Sequence, residues 1–257
     1  MTKPNIDRTK PSSARVWNYI LGGRDNFEID RMVGDQVRQS FPAIVKVAQE
    51  QRKFLVRAVT YLVRAEIRQF LDIGTGLPTA NNTHEVAQRL DSKARVVYVD
   101  NDPLVLAHAR ALLNSSPEGA TDYVDSDVEN PARIVGEARR TLDFDQPIGI
   151  TMLGILGNVA DYAEARSIVE HLLREVPSGS YLVVSDGTNT SDEIVQSQRI
   201  ANQSGHPYHL RSPEEITEYF AGLDLVEPGV VSIPHWRSEV SPLPPAMDGY
   251  CGVGRKP

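Results

Sequence analysis

Residues 70–88, FLDIGTGLPTANNTHEVAQ, constrain the fold of this chain more than any other stretch. Phe70-Leu71-Asp72-Ile73 reads as a short buried strand and Gly74 to Asn81 as a turn. Asn82-Thr83-His84-Glu85 then reads as a helix start with the spacing of a capping box. A strand feeding a glycine-rich turn and a helix is how open α/β sheets hold nucleotides. Gly74 and Gly76 carry no Cβ, tolerate positive φ and let the backbone come close to a ligand. Asp72, at the strand's end, supplies a hydrogen-bond acceptor.

The turn itself discriminates between ligands. Gly74-Thr75-Gly76-Leu77-Pro78-Thr79 lacks the third glycine of a dinucleotide fingerprint, which packs helix on strand beneath the pyrophosphate. A carboxylate at Asp72 also repels phosphate, whereas a ligand with an ammonium group and a sulfonium is attracted to it. These features favour S-adenosylmethionine over NAD, with Thr75 held in the turn beside it. Alone, the turn is also compatible with a plain strand-to-helix connection, so companion residues must decide.

The companions follow in order. Ala94 to Asp100 is a β-branched strand ending in acid, and a carboxylate at the end of a second strand accepts from both ribose hydroxyls. Asp100 is the residue for that role, next to Asn101, while Asp102 caps a helix that has Pro103 in its first turn. Thr121 to Val124 is a third strand. Asp127 beyond it, with Asp125 the nearest rival, suits the adenine amino group, and the Val128 N–H suits a ring nitrogen. Pro147 to Leu153 is a fourth strand whose exit at Gly154 lies beside the sulfonium, and Ser180 to Asp186 is a fifth. Leu223 to Ile233 and Tyr250 to Val253 close the sheet as an antiparallel pair. The expected fold is therefore α/β, a Rossmann-like doubly wound sheet of seven strands.

Ahead of the first strand, residues 1–11 are polar, punctuated by Pro4 and Pro11, and expected to be a disordered arm. Residues 12–69 form a helical N-terminal extension. Ser12 or Ser13 caps its first helix, and the Gly22-Gly23 turn fits either a lid with Tyr19, Gly23 and Asn26 facing the cofactor or an ordinary helix-turn-helix packed on the sheet edge. The basic residues of this segment, including Arg52 and Arg57, are expected on a solvated face. Residues 70–257 make up the main domain. A formal charge of -7 over 257 residues offers no basic field for nucleic acid or an anionic membrane. Cys251, the single cysteine, excludes an internal disulfide framework and a zinc-cysteine cluster. No apolar run spans a bilayer and the first ten residues lack the apolar centre of a secretory leader, so the expected location is cytoplasmic.

The joint order DIGTG, VVYVDND, a third-strand acid and PSGSYLVVSD resembles the class I S-adenosylmethionine-dependent methyltransferases. More narrowly, ARVWNYILGGRDNFEIDR, FLDIGTGLPTANNTHEVAQ and ARVVYVDNDPLVLAHARALL resemble a bacterial S-adenosyl methyltransferase family whose substrates are largely unassigned. That resemblance implies cofactor roles for Asp72, Gly74, Asp100 and Asp127, and an enclosing role for Tyr19 to Asn26. It also exposes departures. Similar proteins often carry histidines where this chain has Gly157 and Asp186, and a family aspartate-arginine-proline run appears here as Asp127-Val128-Glu129-Asn130-Pro131.

The implied reaction is in-line methyl transfer to a small-molecule acceptor, which needs alignment and exclusion of water, and a base only where the nucleophile must lose a proton. Asp25, Asp186 and Tyr19 are candidates by position. No third ligand stands at helical spacing from His206 and His209, so no metal site is expected. His235-Trp236 either lines a substrate pocket or closes the core. The alternative to an enzyme is a non-catalytic S-adenosylmethionine sensor or partner-binding protein. Neither the acceptor nor the oligomeric state follows from the residues.

Overall fold

The computed structural model describes residues 6–112, 115–203 and 207–257. Three helices come first: α1 (Ser13–Ile20), α2 (Glu28–Ser40) and α3 (Ile44–Arg64). Strands and helices then alternate: β1 (Gln69–Ile73), α4 (Thr83–Leu90), β2 (Arg95–Asp100), α5 (Pro103–Leu112), β3 (Ala120–Asp125), α6 (Pro131–Ala138), β4 (Gly149–Leu153), α7 (Tyr162–Glu175) and β5 (Tyr181–Gly187). The chain ends with α8 (Asp192–Gln203), α9 (Pro213–Glu218), β6 (Asp224–Leu225), β7 (Val231–Ser232) and β8 (Gly249–Arg255).

The sheet runs β3-β2-β1-β4-β5-β8-β6, with β7 also paired to β8. β1 to β5 are parallel and β8 enters antiparallel beside β5. The order reverses direction at β1, the switch point at which open α/β sheets bind ligands outside the carboxyl ends of their strands. The expected sixth strand, Leu223 to Ile233, is split in two, which makes the sheet eight-stranded among the described residues. Pro228 lacks an N–H and Gly229 takes φ 85°, so the ladder breaks between β6 and β7 and each half pairs separately with β8.

Period-two alternation assigns each face of the central strands. Leu71, Ile73, Val97, Val99, Ile150, Met152, Leu182 and Val184 pack against α6, α7 and α9. Phe70, Val96, Tyr98 and Val183 face α3 and α4 on the other side. Both faces are covered, which is why these strands read as continuous apolar runs. α3 presents Phe54, Leu55, Ala58, Val59 and Leu62 to the sheet at helical spacing. Trp236 is fully buried against Phe54 and Tyr61, edge-on at 5.4 and 5.9 Å, so it closes this core. The His235 ring is held at Pro244 O, 2.7 Å away.

Two basic residues of α3 turn inward, against expectation. Arg57 donates to the carbonyls of Trp236 and Ile233, both at 2.8 Å, and Arg52 donates to those of Ala80 and Asn81 at 3.2 and 2.9 Å. Carbonyls at the ends of distant segments accept the guanidinium N–H groups, and periodicity within one helix carries no information about them. Residues 1–5 of the expected disordered arm lie outside the described residues. Residues 6–11 are not loose, because Arg15 donates to the carbonyls of Asp7 and Lys10 at 3.0 and 2.6 Å and binds them as a strap to α1.

Candidate active site

The Asp72 carboxylate ties three elements together. Its Oδ2 accepts from Thr83 Oγ1 at 2.5 Å, in the first turn of α4, and its Oδ1 from Thr151 Oγ1 at 2.8 Å on β4. Burial pushes its pKa up, opposed by these hydroxyls and by the Arg52 charge. The sequence assigned Asp72 to a ligand's positive charge, yet in the fold both its oxygens are already engaged by threonines. Thr75 Oγ1 reaches the Asp72 carbonyl at 3.4 Å. Gly74 sits at φ +74°, and a Cβ there would lie 2.6 Å from Ile155. Gly76, at φ +66°, donates its N–H to Asp100 Oδ2 at 2.8 Å.

Asp100 is the centre of the next strand end. Its second oxygen accepts from the Asp102 N–H at 2.9 Å. Burial raises its pKa to about 6 against the pull of those backbone N–H groups. Asp102 caps α5 through the Leu104 N–H at 2.7 Å, the job expected of it, and also accepts from the Ser12 hydroxyl. Asn101 donates to Asp127 Oδ2 at 2.7 Å, and Asp127 Oδ1 accepts from the Glu129 N–H at 3.0 Å. Asp100, Asn101, Asp127 and Val128 all line one cavity with Asp72, Gly74, Thr75, Gly76 and Gly154.

The N-terminal segment covers the cavity with residues other than those expected. Tyr19 turns away, donating to Asp35 at 2.7 Å and stacking under the Arg38 guanidinium. Asn26 is spent on Asn18 Oδ1 and the Gly23 carbonyl, and Asp25 pairs with His108 at 3.6 Å. None of Tyr19, Gly23, Asp25 and Asn26 lines the cavity, which is faced instead by Ser13, Ala14, Trp17, Asn18 and Leu21 of α1 and the residue after it. The Gly-Gly turn has the indirect task of letting the chain fold back, so that the Asp25 N–H and the Asn26 amide clamp Asn18. α1 is latched to the rest by Arg15, buried between Asp30 at 3.1 Å and Asp102 at 3.9 Å.

At the other side, β4 and β5 end in an unexpected pair. Asp186 is 2% exposed. It accepts from the Gly157 and Gly187 N–H groups at 3.0 and 3.2 Å and from the Tyr208 hydroxyl. Burial raises its pKa to about 7. Tyr208 and the α8 residues Ile194, Ser197 and Gln198 line the same cavity but carry no motif. The apolar spacing of Ile194 and Ala201 is the only sequence signal that could have marked α8. Arg52 was hidden among the basic residues assigned to a solvated face, and Gln51 beside it carried no signal. Among the described residues no group of three histidine, cysteine, aspartate or glutamate side chains is placed to hold a metal ion. His209 donates its backbone N–H to Gly157 O at 2.6 Å, and His206 lies outside the described residues.

The cavity has a volume of about 660 Å³ and runs along the carboxyl ends of the parallel strands under α1, α3 and α8. A switch-point cavity with two glycines at positive φ and an acid ending the second strand is how a Rossmann-like sheet holds an adenosine-containing ligand. The family described as S-adenosyl methyltransferase matches residues 1–257, and the chain belongs to that family. It is 42% identical to a DUF574 family protein from Streptomyces avermitilis, with a TM-score of 0.94 over 98% of this chain and 100% of the other. It is 40% identical to a methyltransferase candidate from Thermobifida fusca, with a TM-score of 0.91 over 98% and 97%. The N-methyltransferase NodS from Bradyrhizobium japonicum, solved with S-adenosylhomocysteine, shares the fold at 15% identity, with a TM-score of 0.51 over 82% of this chain and 88% of the other. The comparison with curated proteins found no match.

The residues present fit the family's cofactor, S-adenosylmethionine. Arg52 Nε in the cavity wall is buried without a hydrogen-bond partner, a donor suited to a carboxylate. Asp100 is ringed by backbone donors and still lines the cavity, with acceptor capacity left on its carboxylate. Among the described residues no helix is long and apolar enough to cross a membrane.

Proposed function

We propose that this methyltransferase acts on a small-molecule acceptor, and that residues 70–257 form its catalytic domain while residues 12–69 roof the site. The observation that carries the reading is that the cavity does not end at the cofactor strands. It continues past β4 to Asp186, Tyr208 and an apolar wall from α2, α3 and α8. A chamber under helices suits a compact ligand, while the negative chain charge disfavours a polynucleotide. The absence of a membrane-crossing helix among the described residues and a lone buried thiol at Cys251 support a cytoplasmic setting.

In this reading Asp100 accepts from the ribose hydroxyls, and Asp127 with the Val128 N–H faces the adenine. Arg52 takes the amino-acid carboxylate, and Gly74, Thr75 and Gly76 let the backbone approach. Asn101 steadies Asp127, and Gly154 keeps the β4 exit open beside Gln51. Asp72 braces the turn and adds negative potential near the ammonium. The bound cofactor supplies a methyl group activated by positive sulfur. The protein aligns the acceptor, and α1, latched by Arg15, excludes water.

Calorimetric titration with S-adenosylmethionine, S-adenosylhomocysteine and NAD tests the cofactor half. The sulfur ligands should bind and NAD should not. Asp100→Ala should lose about 100-fold in affinity, roughly 2.7 kcal/mol. Asp100→Asn, which keeps one acceptor oxygen, should retain the fold by thermal melting and lose less. Unchanged affinity in Asp100→Ala would sink the ribose assignment.

A further inference from the structure

Resting on that reading, we propose that Tyr208 and Asp186 are the proton-accepting pair for the methyl acceptor. The acceptor is then a neutral or cationic apolar molecule bearing one O–H or N–H, not an acid.

Placement comes first. Neighbouring strands lie about 4.8 Å apart, so β5 stands roughly 14 Å across the sheet from β2, where Asp100 waits for the ribose. Asp186 therefore sits beyond the cofactor's expected span but within the same cavity. The two turns around it are kept bare for one ring. A Cβ on Gly157 would run into the Tyr208 ring, and a Cβ on Gly187 would come within 3.2 Å of its Cε1. Tyr208 is fixed from behind, since its N–H donates to Asn202 Oδ1 at 2.9 Å and its carbonyl accepts from Gln198 Nε2 at 2.8 Å. The space that a side chain at Gly157 would take is thus filled by a tyrosine from a distant loop.

The bonding leaves one opening. Tyr208 Oη donates to Asp186 Oδ1 and accepts from the Gly187 N–H at 3.3 Å, so one lone pair remains for a donor in the cavity. In the reaction the acceptor's lone pair forms the new bond to the methyl carbon while the carbon–sulfur bond breaks and its pair stays on sulfur. The acceptor's proton passes to Tyr208 Oη as the Tyr208 hydroxyl proton passes to Asp186 Oδ1. The positive charge lost at sulfur is matched by a carboxylate neutralised at Asp186. Tyr208 is the catalytic residue here, and Asp186 acts through it.

Electrostatics supports the same direction. Burial lifts Asp186 to about 7, near the working range of a base. The groups facing it are Arg211, whose charge pulls the pKa down, Tyr219 just after α9, Tyr208 itself, and Tyr250 opposite it on β8. The other acid on this side, Asp248, is held by Thr190 and Ser191 hydroxyls at 2.7 and 3.0 Å. Cations in the cavity wall belong elsewhere. Arg15 is consumed by Asp30 and Asp102, Lys10 stands on the strap that Arg15 holds, and Arg52 lies beside the β1 turn. Among the described residues lining the β4 and β5 side of the cavity, an anionic acceptor would meet two carboxyls and no lysine or arginine, between apolar surfaces such as Trp17, Phe41, Ile194 and Leu210.

The test uses the whole chain saturated with S-adenosylhomocysteine and three matched probes, 4-tert-butylphenol, 4-tert-butylaniline and 4-tert-butylbenzoate. Calorimetry should find the phenol and aniline bound at least about 10-fold more tightly than the benzoate. Tyr208→Phe should weaken the phenol about 5-fold and leave S-adenosylhomocysteine unchanged. Infrared difference spectra should show a protonated-carboxyl band that titrates near neutral pH, is absent in Asp186→Asn, and shifts its titration when the phenol binds. In Tyr208→Phe that response to the phenol should vanish. Tight benzoate binding, equal phenol affinity in Tyr208→Phe, a carboxyl band indifferent to the phenol, or no probe binding to the loaded protein would each overturn the proposal. Failure of S-adenosylhomocysteine itself to bind would instead overturn the cofactor reading beneath it.

Discussion

The strand ends of β1 to β3 and those of β4 and β5 share one cavity but are built on different principles. On the first side three acids that line the cavity are tied down by neighbouring donors: Asp72 by Thr83 and Thr151, Asp100 by Gly76 and Asp102, and Asp127 by Asn101 and Glu129. The donors come from within a few residues of each strand or from the next strand over, so the local chain prepares its own site. On the second side a single buried acid, Asp186, depends on Tyr208, which arrives from a loop beyond α8 and fits only because Gly157 and Gly187 are bare. The contrast separates a half that any ligand of fixed chemistry can reuse from a half assembled by long-range packing, where acceptor choice can vary.

Substitutions can break this comparison. The largest effect is expected from Asp72→Ala, which strands the Thr83 and Thr151 hydroxyls in the core. Chemical denaturation should show a loss of about 3 kcal/mol along with cofactor affinity. A loss of affinity at full stability would mean that Asp72 serves the ligand and not the turn. Gly157→Val comes next, costing about 2 kcal/mol, or roughly 4–8 °C in Tm, because its side chain collides with the Tyr208 ring. S-adenosylhomocysteine affinity should stay within about 2-fold of wild type, since the cofactor half does not depend on that ring.

Acidity sharpens the contrast further. Both Asp100 and Asp186 have folded-state pKa values above the ordinary carboxylate range, so the fold binds their protons more tightly than the unfolded chain does. Their contribution favours the fold at low pH and is lost as the pH rises from about 4 through about 6 for Asp100 and about 7 for Asp186. Asp186→Asn should therefore flatten the fall in Tm between pH 5 and pH 7, by about 1.4 kcal/mol for each pH unit of titration removed. Ligand binding has the opposite sign at Asp100. Ribose hydroxyls need the carboxylate, so S-adenosylhomocysteine affinity should hold above about pH 7 and fall up to 10-fold per unit below about pH 5. An affinity that does not change with pH would separate Asp100 from the ribose. The smallest effect is Ser12→Ala, which removes the hydroxyl that α1 lends to Asp102 and should weaken S-adenosylhomocysteine about 3- to 5-fold. No change there would mean that Arg15 latches the roof alone.

The residues by themselves determined the succession of strands and helices along the chain, the glycine turn after β1, the acid ending β2 and the proline-led helices α5 and α9. Each rests on interactions within one strand, one turn or one cap, over a few residues. The tertiary structure alone decided which face of α1 looks into the cavity, that Arg52 and Arg57 turn inward, and that α8 and Tyr208 complete the β5 side of the cavity. It also moved Tyr19 and Asn26 from the cavity to the inner bracing of the lid. Amphipathic periodicity says that a helix has a buried face but not what buries it, and a glycine says that room is needed but not for whom. Those answers lie with partners dozens or hundreds of residues away, as Gly157 and Tyr208 illustrate, and only packing brings them together.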